Sequence, residues 1–349
     1  MGCNTSLPDN DYFEDKEWED QMRESVNYLS GPDNAKLSGS LKSFLFWSEG
    51  LDKNLFLTSQ ELGLIPALIQ TLVNREIDEA HRAFAYIAID CIYNLASFSQ
   101  NYSYLTAVST GLISCLSNLV SFNNLLAADL NMANMALLTL ANMLMHNGYN
   151  NDDTIAETQM HMYQQRDHLK ILRTLYEANS LLISDLTEVN LDAKQKALLV
   201  DIRIGSANII ANLMKNKAIR IDVISATDAL GDGSHLEIIA SDDILAVLYQ
   251  VIKFDTVNNE ARHYAFDALH LLSSIDSNLQ YFSKNKNLVQ LLRTITRADS
   301  YSADKARRIL DHLGHLVQCN CPGCIEPMHN IIDRLYKNVT HALTDFSKI

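Results

Sequence analysis

The sequence predicts an all-α fold, a solenoid of about five stacked helical repeats. A short apolar helix followed by a longer amphipathic one recurs along the chain. Within the longer helix a polar residue returns at Asn94, Asn142, Asn212, His270 and His312, at intervals of 48, 70, 58 and 42. Periods of about 40–47 residues mark units of two or three helices, which stack because none buries its apolar face alone. Only five prolines and twelve glycines occur in 349 residues. That is too few turn formers for an all-β chain, but it suits helices joined by short links.

The elements follow in order. In "YFEDKEWEDQMRESVNYLS", Tyr12, Phe13, Trp18, Met22, Val26 and Leu29 recur near helical spacing. This predicts a short acidic helix whose apolar side packs on the first repeat. Next, "NLFLTSQELGLIPALIQTLVN" is an apolar helix broken at Gly63. In "EAHRAFAYIAIDCIYNLASFSQ", Phe84, Ile87, Cys91, Leu95 and Phe98 stand three and four apart, the mark of an amphipathic helix. The order returns in "NYSYLTAVSTGLISCLSNLVSF", with Gly111 before the apolar helix, and in "LNMANMALLTLANMLMHN". "RIGSANIIANLMKN" is a third copy of the longer helix, and residues 242–282 and 285–318 hold a fourth and a fifth unit. Two intervals are long because of polar stretches at 148–168 and 225–237, which read at least in part as loops. The chain therefore divides into an acidic N-terminal tether (1–33), a repeat solenoid (34–318), and a cysteine-containing loop with a C-terminal helix (319–349).

The Gly-[LI]-[IP]-x-x-L pattern at Gly63–Leu68 and the Asn-Leu-Ala of Asn94–Ala96 resemble armadillo repeats, over about residues 40–318. HEAT repeats are the near neighbour, and the single glycine between short and long helices favours armadillo. The resemblance implies an armadillo/HEAT-like right-handed α-solenoid. It also implies a concave groove along the third helices, where repeated asparagine amides hold the backbone of an extended peptide. Asn94, Asn142 and Asn212 occupy that position, His270 takes it in the fourth unit, and Asp90 and Asn208 stand four residues before it. Taken alone, each asparagine also reads as a helix residue satisfied by its own neighbours. Nuclear-import receptors of this family carry tryptophan four residues earlier, where this chain has Asp90, Leu138 and Asn208. Nuclear-signal recognition of that type is therefore not implied.

The first residues, "MGCNTS", match the M-G-x-x-x-[ST] form for N-myristoylation at Gly2, with Ser6 in register. One myristoyl chain anchors only marginally and needs a second signal. Residues 9–24 carry eight acidic residues against Lys16 and Arg23, so an anionic leaflet would repel them. Palmitate on Cys3 is then the expected partner. A Met-Gly-Cys start on such a solenoid is similar in layout to N-terminally acylated armadillo adaptors, the fungal vacuolar scaffolds and the apicomplexan armadillo-repeats-only protein. That likeness implies recruitment of protein partners to an organelle's cytosolic face.

The formal charge is −14 and the pI about 5.1. This field favours partners with basic segments and argues against nucleic acid. No run of eighteen apolar residues occurs and the acidic N-terminus is no secretory signal, so a cytosolic, peripheral location is expected. No P-loop, dinucleotide fingerprint, HExxH or GxSxG motif is present. A calcium loop at 228–237 fails because Leu230 stands where a second carboxylate is required. No small-molecule substrate, catalytic residue or firm cofactor is expected. One cluster, Cys319, Cys321 and Cys324 with His315, has ligand types that suit zinc. Reduced loop thiols and reversible palmitoylation are the competing readings.

The expected function is a non-catalytic, membrane-anchored scaffold that recruits protein partners through its groove, at an organelle or the plasma membrane. The alternative is a regulator, an exchange factor or chaperone, of a lipidated small GTPase. A third reading, an enzyme built on the C-terminal cysteines, would require bound zinc with an open coordination position.

Overall fold

The computed structural model describes residues 15–29, 31, 33–48, 61–97, 110–120, 129–145, 152–184, 190–228, 243–254, 259–297 and 301–314. Among them all regular structure is helical. The order begins α1 (Asp15–Leu29), α2 (Asn34–Ser48), α3 (Leu64–Val73), α4 (Glu79–Ser97), α5 (Thr110–Val120) and α6 (Leu130–Leu144). It continues with α7 (Asp152–Gln164), α8 (Asp167–Ser184), α9 (Ala193–Leu213), α10 (Lys217–Asp228), α11 (Ile244–Lys253) and α12 (Asn259–Ser273). The last three are α13 (Asp276–Lys284), α14 (Lys286–Ile295) and α15 (Tyr301–His312). The chain forms two compact units, Met1–Leu272 and Ser273–Ile349.

Short polar side chains start these helices by accepting from amide groups that lack an intrahelical partner. Asp129 takes Met132 N–H, Asp243 takes Leu245 and Ala246 N–H, and Asn285 takes Leu288 N–H. Asp192 and Gln195 close a reciprocal capping box on α9. Gly63 enters α3 at φ 83°, a left-handed conformation in which a side chain is strained.

In the first unit the helices form two layers. One runs α3, α5, α8, α11; the other runs α2, α4, α6, α9, each packed on the next. Apolar residues at helical spacing meet between them: Leu64, Ile65, Leu68 and Leu72 of α3 and Ala88, Ile89, Ile92 and Leu95 of α4 are all buried. Each such side chain contributes roughly 1.5–3 kcal/mol on leaving water. The N-terminal helix behaves as its periodicity predicts. Met22, Val26 and Leu29 are buried, and α1 packs on α2 and α3.

The crossing of α6 and α9 is close. A Cβ added at Gly205 would meet the Leu137 Cβ at 3.2 Å, tighter than ordinary van der Waals contact. Ala133, Ala136 and Ala141 of α6 and Ala207 of α9 are buried in the same region. Arg203, 3% exposed, sends Nη2 to the Val251 carbonyl at 3.0 Å, near the end of α11. A guanidinium at a helix C-terminus meets both an unused acceptor and the negative end of the dipole.

Residues 148–168 differ from expectation. Asp152–Gln164 is a helix, α7, and a two-residue turn at 165–166 leads into α8. The buried side of α7 sets Thr158 and Gln159 between Ile155 and Met162, and this mixed stripe conceals the helix in the sequence. Gln159, 1% exposed, donates to the Leu144 and Asn212 carbonyls at 3.4 and 3.0 Å, joining the ends of α6 and α9. Of 225–237, residues 225–228 complete α10 and the rest lies outside the described residues.

At the start of α8, Asp167 is 1% exposed and accepts from Lys170 Nζ at 2.7 Å and Ser114 Oγ at 2.9 Å. Lys170 also donates to Asn118 Oδ1 at 2.7 Å, tying α8 to α5. The neighbouring His168 is buried against the Tyr163 ring, 4.6 Å between centroids. Burial pushes its imidazole down to about 4 from 6.5, against the smaller opposing pull of backbone carbonyls and Asp167. The unfolded chain therefore binds the proton first as pH falls. Stability should drop by up to about 3 kcal/mol between pH 6.5 and 4. Urea denaturation across that range should show the decline, and His168→Phe should flatten it; an unchanged slope would mean that other groups govern the acid limb.

In the second unit, Phe282 of α13 is buried, as are Leu288 and Leu292 of α14 and Ala306, Ile309 and Leu310 of α15. The Ser273 hydroxyl and His312 Nδ1 lie 2.9 Å apart.

Candidate partner-binding face

The second layer, α2, α4, α6, α9, presents the motif asparagines in one register. The Asn94 amide donates to Ser48 Oγ at 3.1 Å, and the Asn142 amide to Ser97 Oγ at 3.3 Å. Those bonds span 46 and 45 residues, one repeat. Ser97 stands three positions after the motif residue Asn94 of its own helix, and Ser48 is the last residue of α2. The asparagines thus fasten successive helices together with their amide nitrogens.

Asn212 breaks the series. It is 2% exposed, and its amide donates to the Asn208 carbonyl at 3.1 Å and side-chain oxygen at 2.9 Å, while Lys215 Nζ donates to its oxygen at 2.7 Å. Only half-buried Asn208 of this pair reaches solvent. Asp90 is half-buried on the same face of α4 as Asn94, one turn earlier. Burial raises its carboxyl above the ordinary value. Asp90 has no hydrogen-bond or ion-pair partner among the described residues. His270 is half-buried on α12 and engaged in an interaction of its own.

The α6 part of this face is apolar. Leu138 is 39% and Met145 40% exposed, one on each side of Asn142. Sequence reasoning noted Leu138 only as a departure and passed over Met145. Exposed leucine and methionine on a motif face were the signal available. At the other end of α4, Tyr86 donates to Asp129, and burial and that carboxylate push its hydroxyl up to about 12.

The remaining proposed sites lie elsewhere. Gly2, Cys3 and the group Cys319, Cys321, Cys324 and His315 fall outside the described residues. Among the described residues no cluster of three or more His, Cys, Asp or Glu is arranged to hold a metal, and no single helix is long and apolar enough to cross a membrane. Cys91 and Cys115 fill core space as expected. Burial, with a smaller push from Asp90, raises the Cys91 thiol to about 12, so it stays protonated and unreactive. A polar cleft between α1 and α2 is lined by Glu24, Tyr28, Ser40, Ser43 and Trp47, with Lys36 Nζ 4.6 Å from the Tyr28 ring centroid.

No family model matches the sequence, and no curated protein matches it as a relative. Solved structures do match in fold. A designed armadillo repeat protein, YIII(Dq)4CqI, aligns with TM-score 0.53 and 15% identity over 84% of this chain and 99% of its own. A second, YIII(Dq.V1)4CPAF in complex with the peptide (KR)4, aligns at TM-score 0.55 and 15% identity, again over 84% and 99%. A third, computationally designed for modular peptide recognition, aligns at 0.52 and 16% over 83% and 99%. At such identities the likeness concerns the fold, and the chain is an all-α solenoid of armadillo type.

Proposed function

We propose that the chain is a non-catalytic scaffold, anchored to the cytosolic face of a membrane by acyl chains on Gly2 and Cys3. Its α4–α6–α9 face takes an extended segment of a protein partner. The observation that carries the partner reading is this face itself. Its asparagine–serine bonds hold α2, α4 and α6 in one register, while Asp90, without a hydrogen-bond or ion-pair partner among the described residues, exposed Leu138 and Met145, and half-buried Asn208 line the face. The designed neighbour bound to (KR)4 supports the same reading by analogy of fold. The net charge of −14 favours a basic segment. A buried, protonated Cys91 suits a scaffold better than a thiol enzyme.

The anchor is tested by membrane partitioning of the intact protein in cells. Wild type should pellet with membranes, while Gly2→Ala and Cys3→Ser should move largely to the soluble fraction. The second variant keeps at most one acyl chain, which holds only reversibly. If all three forms stay soluble, the anchored reading fails and a cytosolic scaffold remains.

A further inference from the structure

The face between α4 and α6 carries more detail than a general groove. Asn142 bonds Ser97, and Asn131 lies beside Tyr86. Both pairs are 45 residues apart, so one constant offset relates the two helices. The same offset sets Met135 level with Asp90, and Leu138 level with Tyr93. Met135 and Tyr93 are half-buried, and Leu138 is exposed. A carboxylate with no cation partner among the described residues therefore stands level with a thioether, one turn from an aromatic and an aliphatic side chain that are level with each other.

We infer that Asp90 and Met135 form a subsite for a lysine or arginine side chain, and Leu138 with Tyr93 a neighbouring subsite for a large apolar one. This rests on reading the face as a partner groove. The occupant is an extended segment of a partner protein with a basic and an apolar residue on the same side. A long basic side chain fits the first subsite because its methylenes lie on apolar surface while its head reaches the carboxylate. Half-burial of Asp90 raises its carboxyl, and an arriving cation relieves that cost. The two subsites lie three residues apart on both helices, about 5 Å along their axes. In an extended chain, side chains two positions apart share a side and lie about 7 Å apart. The ligand spacing is therefore basic-x-apolar. This differs from an all-basic peptide, because the second subsite has no carboxylate.

The test uses the full chain and three fluorescein-labelled octapeptides read by anisotropy: Lys-Ser-Leu-Ser twice over, Lys-Ser-Ser-Ser twice over, and Glu-Ser-Leu-Ser twice over. The first should bind at least tenfold tighter than either of the others. Asp90→Asn should weaken it about tenfold without lowering stability, since Asp90 gives up no hydrogen bond or ion pair among the described residues. Leu138→Ser should reduce its affinity to that of the second peptide and leave the second unchanged. If the first peptide binds but neither substitution matters, or the glutamate peptide binds equally well, the subsites are wrong and the groove stands. If Asp90→Asn unfolds the chain, Asp90 is a structural residue and the subsite is wrong. If no peptide binds the wild type, the groove reading falls and the subsites with it.

Discussion

Gly205→Leu should destabilise the protein by about 3 kcal/mol, read as a lower urea midpoint in far-UV circular dichroism. Even the first added carbon would stand 3.2 Å from the Leu137 Cβ. That atom is fixed to the α6 backbone, so no side-chain rotation relieves the contact. The remaining three carbons must find room beside the rest of the Leu137 side chain, whose Cδ1 and Cγ lie 3.7 and 4.0 Å from that first carbon. Overpacking of a dense core costs roughly 1–3 kcal/mol and at times more, and here two helices must separate. Gly205→Ala is the control. It adds the one tight contact, but gains up to about 1 kcal/mol of helix propensity, so its net change should stay within about 1 kcal/mol. A leucine variant as stable as wild type would mean that α6 and α9 can move apart at no cost.

Lys170→Met should cost about 3 kcal/mol, and adding Asp167→Asn should recover most of it. The methionine keeps the aliphatic bulk of the lysine and removes its charge. Asp167, 1% exposed, would then hold a carboxylate inside the protein with Ser114 as its remaining side-chain donor among the described residues. Leaving one member of a buried pair without the other is more costly than removing both. Placement of Asp167 in the first turn of α8 moderates the loss, because the helix dipole favours a negative charge there. The informative quantity is the coupling in a double-mutant cycle. Additive effects would show that the two side chains do not depend on one another.

Much of this fold was legible in the sequence, and the exceptions have physical causes. Cys91, Cys115, Leu95 and Phe84 read correctly as core because apolar residues three and four apart leave few alternatives. Gly63 read correctly as a break because a left-handed residue before a helix is the place where glycine alone is unstrained. The helix at 152–164 was hidden because its inner side places Thr158 and Gln159, both buried, between Ile155 and Met162, and their polarity interrupts the apolar stripe. The motif asparagines were found by position but only half understood. Their partners Ser48 and Ser97 lie a repeat away, and a cross-repeat hydrogen bond leaves no local trace. Asn212 shares the register yet turns into its own helix because Asn208 stands one turn before it and Lys215 one turn after.

The asparagine–serine steps have a consequence for how the protein is made. Each joins a residue to one about a repeat earlier, 46 or 45 positions back, and never to one still to come at the far end. Distance along the chain and distance in space therefore grow together through these helices. Such low contact order lets early repeats close without waiting for late ones. On the ribosome, α2 and α4 can dock while α9 is still being synthesised. α4 and then α6 emerge onto a template that already offers the serine each must meet. Synthesis from the N-terminus is in this sense also the order of assembly.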